Sequence, residues 1–516
     1  MALLKSIATV GGFTLGSRIL GFIRDILVAT FLGTGWIADA FFVAFKFPNL
    51  FRRLFAEGAF NAAFVPQFAG LLESDGREAA KLFAEQALAV LLWVLLIFII
   101  LVQITMPFAM LGFAPGFVDN QAQFDLAVLL TRITFPYLLF ISIVSLMAGV
   151  LNSLGKFAAA AATPILLNLC LISAITLLAR YTPTPGHALA WGVAIGGMVQ
   201  FVWLLVHCGR QGMWLRLRGP RMTKAVRTMI RRIIPVAIGA GVYQISLWID
   251  TIIASFLPEG SISYLFFADR VNQLPLGVVG VAVGTALLPL LSRQIRSGDE
   301  AAAMDSQNRA LEFSLFLTLP AAVALMVIAG PIISVLFERG AFDARAADAT
   351  AGALAIFAVG LPAYVLVKGL ASSYFAREDT VTPVKIAVVA LVANVVISLA
   401  LMGPFKHLGI ATALAASSWI NAMLLAWVLK RRGHWRPDER FKRRLPRMVV
   451  ASVVMGAALY GSTIALNDLL QAGIGLRIMA VALLVVGGLA VYGLTALLTG
   501  AATKEDLARI LNRSKA

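Results

Sequence analysis

Apolar residues in this chain run in blocks of about twenty, broken by short polar stretches. Within a block there is neither the strict alternation of a half-buried strand nor the single stripe of a soluble helix. A helix of that length, rising about 1.5 Å per residue, crosses the roughly 30 Å hydrocarbon layer of a bilayer. Scanning at that length predicts about fourteen spans. Their cores lie at 7–32, 37–68, 83–107, 126–151, 160–180, 187–207, 233–256, 262–291, 311–336, 350–375, 384–402, 408–429, 447–466 and 477–499. The fold class that follows is an all-α polytopic membrane protein.

The blocks also repeat. "ATFLGTGWIADAFF" at Ala29 to Phe42 matches "ASFLPEGSISYLFF" at Ala254 to Phe267, which sets Asp25 opposite Asp250. Further on, Thr163-Pro164 answers Thr382-Pro383 and His187 answers His407. A period of roughly 220 residues with the same order of spans predicts two parallel six-helix repeats, related by an axis along the membrane normal. The domain reading is an N-lobe over 1–207, a basic linker over 208–232, a C-lobe over 233–430 and a basic loop over 431–446. Two extra C-terminal helices over 447–499 and a tail over 500–516 complete it. The two lobes are expected to be pseudo-symmetric around a central cavity.

Composition and charge give that cavity a sign. Only 13% of the 516 residues are charged and the mean hydropathy is +0.88, about half the charge that a soluble surface carries. Lys and Arg number 43 against 26 Asp and Glu, a net charge of +17. The basic residues lie mostly between apolar blocks, so they read as topology signals and contacts to anionic membrane lipids, and no nucleic-acid partner is expected. With both termini cytoplasmic, the basic stretches 210–232 and 430–447 lie inside, and the loop 107–125, which has no Lys or Arg, lies outside. Inside the first of these, Met222, Val226, Met229 and Ile230 recur at helical spacing and predict an interfacial helix on the inner leaflet.

Some charges fall within the apolar blocks: Arg18, Arg24, Lys46, Arg52, Arg53, Arg132, Arg270 and Lys368, against Asp25, Asp39, Glu57, Asp250 and Asp269. Facing lipid, each costs about 3 kcal/mol at a helix centre, so they are expected to line water or one another. In the second span Asp39, Lys46 and Arg53 recur every seven residues with Asn49 between them, and Glu57 follows Arg53 by four. That stripe is expected to face the cavity, and Pro48 to bend or break its helix. In the first span Arg18 and Asp25 share a face and Arg24 points elsewhere, while Gly12 and Gly16 permit close helix approach.

Asp25 and Asp269 are expected to neutralise some of the arginines. A surplus of about three positive charges remains, which calls for an anion. Arginine forks suit phosphate or pyrophosphate oxygens, and chloride fills the same role in an empty cavity. Asp250, with Asp379, Thr382 and Asn394, reads either as a sodium or proton site or as a paired carboxylate.

Catalytic chemistry finds little footing. "GVLNSLGKF", Gly149 to Phe157, has the wrong glycine spacing for a phosphate-binding loop, and Phe157 stands where Ser or Thr is needed. Gly149 and Gly155 therefore read as helix packing and helix termination. His187, His207, His407 and His434 lie at span ends or in loops without clustered carboxylates, and Cys170 and Cys208 have no CxxC spacing. No catalytic residue, metal ligand or cofactor is expected, and the chain reads as a transporter.

Three segments carry a resemblance. "GSRILGFIRDILVATFLGTGWIADAFFVAFKFPNLFRRLFAEGAFNAAFVPQF" from Gly16, "FFADRVNQLPLGVVGVAVGTALLPLLSR" from Phe266 and "DTVTPVKIA" from Asp379 resemble the MurJ (MviN) family of lipid II flippases. The family lies within the multidrug/oligosaccharidyl-lipid/polysaccharide exporter superfamily. The resemblance spans essentially the whole chain. It implies movement of the undecaprenyl-pyrophosphate-linked peptidoglycan precursor from the inner to the outer leaflet of the bacterial inner membrane by alternating access. It also implies that Arg18, Arg24, Arg52 and Arg270 serve a cationic cavity, that Asp39 is an important acid, that gating occurs near Glu57, and that the last two helices hold the polyprenyl tail. Some members use the acid at Asp250 for sodium. Cell-wall synthesis or division proteins are the protein partners such a role suggests. The alternative is a multidrug or other lipid-linked oligosaccharide exporter of the same superfamily; a cavity for cationic drugs would favour acidic and aromatic walls, against which the positive surplus argues.

Overall fold

The computed structural model describes residues 2–53 and 59–503, with the backbone alone for 2–8, 59, 235–243, 278 and 281–286. It divides into two compact units, Met1–Ser263 with Arg339–Phe342, and Tyr264–Glu338 with Asp343–Ala516. In the first unit α1 (Ala2–Leu32), α2 (Trp36–Arg52), α3 (Ala59–Ser74), α4 (Gly76–Ile104) and α5 (Met106–Phe113) are followed by α6 (Gln121–Thr134), α7 (Tyr137–Ser153), α8 (Phe157–Ser173), α9 (Pro185–Arg210) and α10 (Lys224–Ser255). The second unit takes over within α11 (Ser261–Arg296). It continues through α12 (Glu300–Val327), α13 (Ala329–Phe337), α14 (Ala344–Ala376), α15 (Val381–Phe405), α16 (His407–Arg431), α17 (Glu439–Ala465), α18 (Asn467–Gln471) and α19 (Ile474–Thr499).

Among the described residues 10 helices are long and apolar enough to cross a membrane, and many of their large apolar side chains face outward. That is the expected inversion when lipid is the outer solvent, since backbone groups satisfied within a helix are tolerated there. Polar or acidic N-caps start several helices: Asn120 for α6, Thr223 for α10, Asp299 for α12, Asp343 for α14 and Asp438 for α17 each accept a backbone N–H.

At four prolines in or between the spans the freed carbonyl finds a side-chain donor. A proline at position i has no N–H for the carbonyl at i−4, and in lipid that oxygen has no water to turn to. Pro48 frees Ala44, whose oxygen accepts from the Thr134 hydroxyl at 2.9 Å. Pro136 frees Arg132, which accepts from the Gln103 amide at 2.8 Å. Pro164 frees Ala160, which accepts from its neighbour Thr163 at 2.8 Å, and Pro320 frees Phe316, which accepts from the Tyr492 hydroxyl at 2.8 Å. Pro48 thus sits inside an α2 that runs on to Arg52, where the sequence pattern leads one to expect a bend or break.

Two other expectations change. The linker 208–232 is not a separate interfacial helix: the chain leaves α9 at Arg210, runs without helix to Thr223, and its last part is the opening of α10. Val226 and Met229 are buried instead of facing lipid, because this segment is strapped to α3 and α4. Gln67 donates to the Ala225 carbonyl, Thr223 donates to Gln86, and the buried Glu85 accepts from the Arg216 N–H and pairs with Arg218. The second change concerns the lobes. α10 packs on α3, α4 and α5, and so falls within the first unit, whereas the repeat pattern starts the second lobe at residue 233.

Candidate functional site

The first group of site residues lies where α1 packs on α8. Asp25 is 4% exposed, and the Arg24 Nε and Nη2 donate to its Oδ1 at 3.0 and 2.7 Å. The Arg24 Nη1 donates to Asn168 Oδ1 at 2.8 Å, and Asn168 Nδ2 in turn donates to the Ser17 carbonyl at 3.0 Å. Arg24 therefore does not point away from Asp25: its long side chain folds back to meet the adjacent carboxylate. Arg18 is exposed. The close helix approach expected at Gly12 and Gly16 is displaced, since a side chain at Gly12 would meet nothing and one at Gly16 only Ile165, while one at Gly21 would abut Asn168.

The α2 stripe is not a uniform row. Asp39, 2% exposed, accepts from the Gly260 N–H at 2.7 Å, the Ser263 N–H at 2.8 Å and the Ser263 hydroxyl at 2.5 Å. It thereby satisfies the orphan donors at the start of α11, a site where the helix dipole also favours negative charge. Lys46 and Asn49 are half-buried, and Asn49 donates to the Phe45 carbonyl while accepting from Arg52 Nε at 2.9 Å. Arg53 is exposed, and Glu57 lies outside the described residues. Aromatic packing holds the middle of this helix, with Phe47 4.7 Å from Phe113 and 5.3 Å from Phe135 between ring centres.

In the second unit, Asp269 accepts from Gln273, and the Arg270 guanidinium lies 4.6 Å from the Phe266 ring centre. The residues read as a cation site fare differently. Asp250 belongs to the first unit, and Asp379, Thr382 and Asn394 to the second. Asp379 caps α15 by accepting the Thr382 N–H, and Arg432 bonds both the Asp379 carboxylate at 2.7 Å and the Thr382 hydroxyl at 3.1 Å. An arginine thus occupies the oxygens that a sodium ion would use, while Asn394 is buried further along α15.

Several residues were invisible to pattern reading. Asn168 and Ser263 engage Arg24 and Asp39 across 144 and 224 residues of chain. Glu312 in α12 is nearly buried, yet Arg309, Arg440 and Arg444 converge on its carboxylate and Arg309 also meets Asp438, which ties α12 to α17. An acid near the end of a span, followed by a later basic run, is the one signal that could have found it.

Long apolar helices, with arginines and carboxylates paired inside them and backbone breaks covered by side chains, define a polytopic membrane transporter. The family model described as "Lipid II flippase MurJ" matches residues 28–481. The chain belongs to that family. A curated relative from Rhizobium meliloti (strain 1021), named "Probable lipid II flippase MurJ", is 45% identical over 521 residues, covering 99% of this chain and 97% of its own. "Lipid II flippase MurJ" of Burkholderia cenocepacia is 35% identical, with 89% of this chain and 90% of the relative covered. Among solved structures, "Lipid II flippase MurJ, inward closed conformation" aligns with a TM-score of 0.77 at 24% identity, covering 95% of this chain and 98% of that one. An inward-facing multidrug resistance MATE transporter of the MOP superfamily aligns at 0.67 and 13% identity, covering 81% and 94%. These two likenesses establish the fold.

Proposed function

We propose that this chain carries lipid II from the inner to the outer leaflet of the bacterial inner membrane by alternating access, with both termini cytoplasmic. Membership of the lipid II flippase family over nearly the full chain is the observation that carries the reading. It is a transporter and not an enzyme. The pyrophosphate is the group its arginines recognise: Arg18, Arg24 and Arg52 of the first unit and Arg270 of the second each contact it at some stage of the cycle, through the planar forks that match phosphate oxygens. Binding a dianion relieves repulsion among these cations, so the ligand favours the state in which they are closest.

Lys46, Asn49, Arg53 and Asp269 contribute polar surface to the same path, Glu57 gates it, and the two last long helices hold the polyprenyl tail. Sodium or proton coupling through Asp250, chloride as the anion of the unloaded protein, and contacts with cell-wall synthesis or division proteins belong to this proposal. The test is outer-leaflet exposure of lipid II in cells depleted of the protein, read by an externally added enzyme that cleaves the exposed headgroup. Cleavage should fall on depletion and return with wild type but not with Arg18→Ala or Arg270→Ala at equal expression. Cleavage unchanged on depletion, in cells with no second flippase, would reject lipid II as the substrate.

A further inference from the structure

We infer that Asn168 is a positioning residue for Arg24: it aims the guanidinium at the pyrophosphate without cancelling its charge. The inference rests on the reading of Arg24 as a pyrophosphate-binding arginine and adds the residue that prepares it. Asn168 is 5% exposed in α8 and faces Gly21 of α1, where a Cβ would sit 3.4 Å from its Nδ2. The amide thus packs against the α1 backbone at ordinary contact distance.

The orientation of the amide is determined by its two partners. The Ser17 carbonyl can only accept and the Arg24 guanidinium can only donate, so just one setting of Asn168 satisfies both, with Nδ2 toward Ser17 and Oδ1 toward Arg24. This ties the head of Arg24 to the backbone of its own helix nearly two turns earlier.

Counting donors then shows what is left for a ligand. A guanidinium has five N–H groups. The Nε–H and one on Nη2 go to Asp25, and one on Nη1 goes to Asn168. One N–H remains on each terminal nitrogen, and among the described residues neither has a partner. Two N–H groups on separate nitrogens are what a bidentate phosphate contact uses. Asp25 already supplies the neutralising charge that makes a buried arginine tolerable. A second carboxylate at position 168 would hold Arg24 more strongly and compete with the phosphate; a neutral amide directs it and does not compete.

The experiment measures binding of undecaprenyl pyrophosphate to the purified full-length protein, for wild type, Arg24→Ala, Asn168→Leu, the double variant and Asn168→Asp, with thermal unfolding of each. Asn168→Leu should weaken binding about tenfold, the scale of a charge-assisted hydrogen bond. The double variant should bind no more weakly than Arg24→Ala alone, because Asn168 acts only through that arginine. Asn168→Asp should bind poorly at neutral pH and recover as acid protonates the new carboxyl, restoring a donor toward Ser17. Losses that add in the double variant would make Asn168 a merely structural residue and overturn the inference. Undiminished binding by Asn168→Leu beside a weakened Arg24→Ala would overturn it while leaving the role of Arg24 intact. Undiminished binding by Arg24→Ala would reject the pyrophosphate reading of that arginine itself. Should the leucine variant fail to fold, Asn168→Ala takes its place in the same comparison.

Discussion

Two of the places where this protein puts arginine beside buried acid are built in opposite ways. Where α12 meets α17, one carboxylate, Glu312, is surrounded by Arg309, Arg440 and Arg444, with Asp305 and Asp438 completing the charges around Arg309. Where α1 meets α8, one arginine, Arg24, is held by one acid and one amide, and two of its N–H groups stay uncommitted among the described residues. The first arrangement gathers three arginines on one carboxylate and balances them with three acids, which ties two helices together. The second keeps donor capacity in reserve. Charge inside a membrane protein therefore signals function less by its presence than by how completely its neighbours consume it.

The comparison breaks most visibly at Glu312. Glu312→Ala leaves Arg309 and Arg444, both largely buried, without their shared carboxylate, and the cost expected for stripping one partner from a buried ion cluster is about 3 to 5 kcal/mol. Thermal unfolding of the purified chain should show the largest drop of any single variant discussed, while lipid II exposure per folded molecule stays near wild type. A variant that unfolds normally but fails to transport would place this clamp among the functional groups and erase the contrast.

The arginine junction should separate the two properties. Arg24→Met takes a close guanidinium away from the buried Asp25 and is expected to cost about 2 kcal/mol. The double variant Arg24→Met/Asp25→Asn removes the carboxylate charge as well and should regain most of that stability, yet on the proposed role of Arg24 transport should stay lost. Restored transport in the double variant would mean that Arg24 serves only to neutralise Asp25.

What could be read from the sequence follows the range of the interactions involved. Spans, repeats and helix ends depend on near neighbours, so Gly149 and Gly155 are correctly read: a side chain at Gly149 would press on Phe64 and Val65 at 3.1 and 3.2 Å, and Gly155 turns with a φ of 73° just after α7. The repeat signal at His187 and His407 likewise marks the openings of α9 and α16. Individual arginines and acids were legible because charge in an apolar block is anomalous by itself. Their partners were not: Asn168 and Ser263 are unremarkable in their own helices and acquire meaning only across 144 and 224 residues. The strap after α9 was misread for a related reason. Its helical spacing holds from Val226 on, whereas Met222 precedes the helix and is exposed; Val226 and Met229 are buried where the segment meets α3 and α4, and spacing alone does not say what covers a face.

The smallest expected effect concerns the turn between α14 and α15, an exposed counterpart of the buried clamp. Burial works against ionisation of Asp379, but hydrogen bonds from Thr382 and the Arg432 guanidinium outweigh it and lower its pKa from 3.8 to about 2. A carboxyl depressed in the folded state contributes stability that is present above its unfolded pKa and is lost as pH falls through the folded one. Arg432 is 43% exposed, so solvent screening holds the pair to about 1 kcal/mol or less. Asp379→Asn should therefore unfold slightly below wild type at neutral pH, and the gap should close between about pH 4 and pH 2. A gap that persists unchanged at pH 2 would show that the cap on Thr382, which an asparagine oxygen also supplies only in part, matters more than the charge. A sodium-dependent stabilisation of wild type that vanishes in the variant would instead reopen Asp379 as a cation ligand, with Arg432 displaced from it.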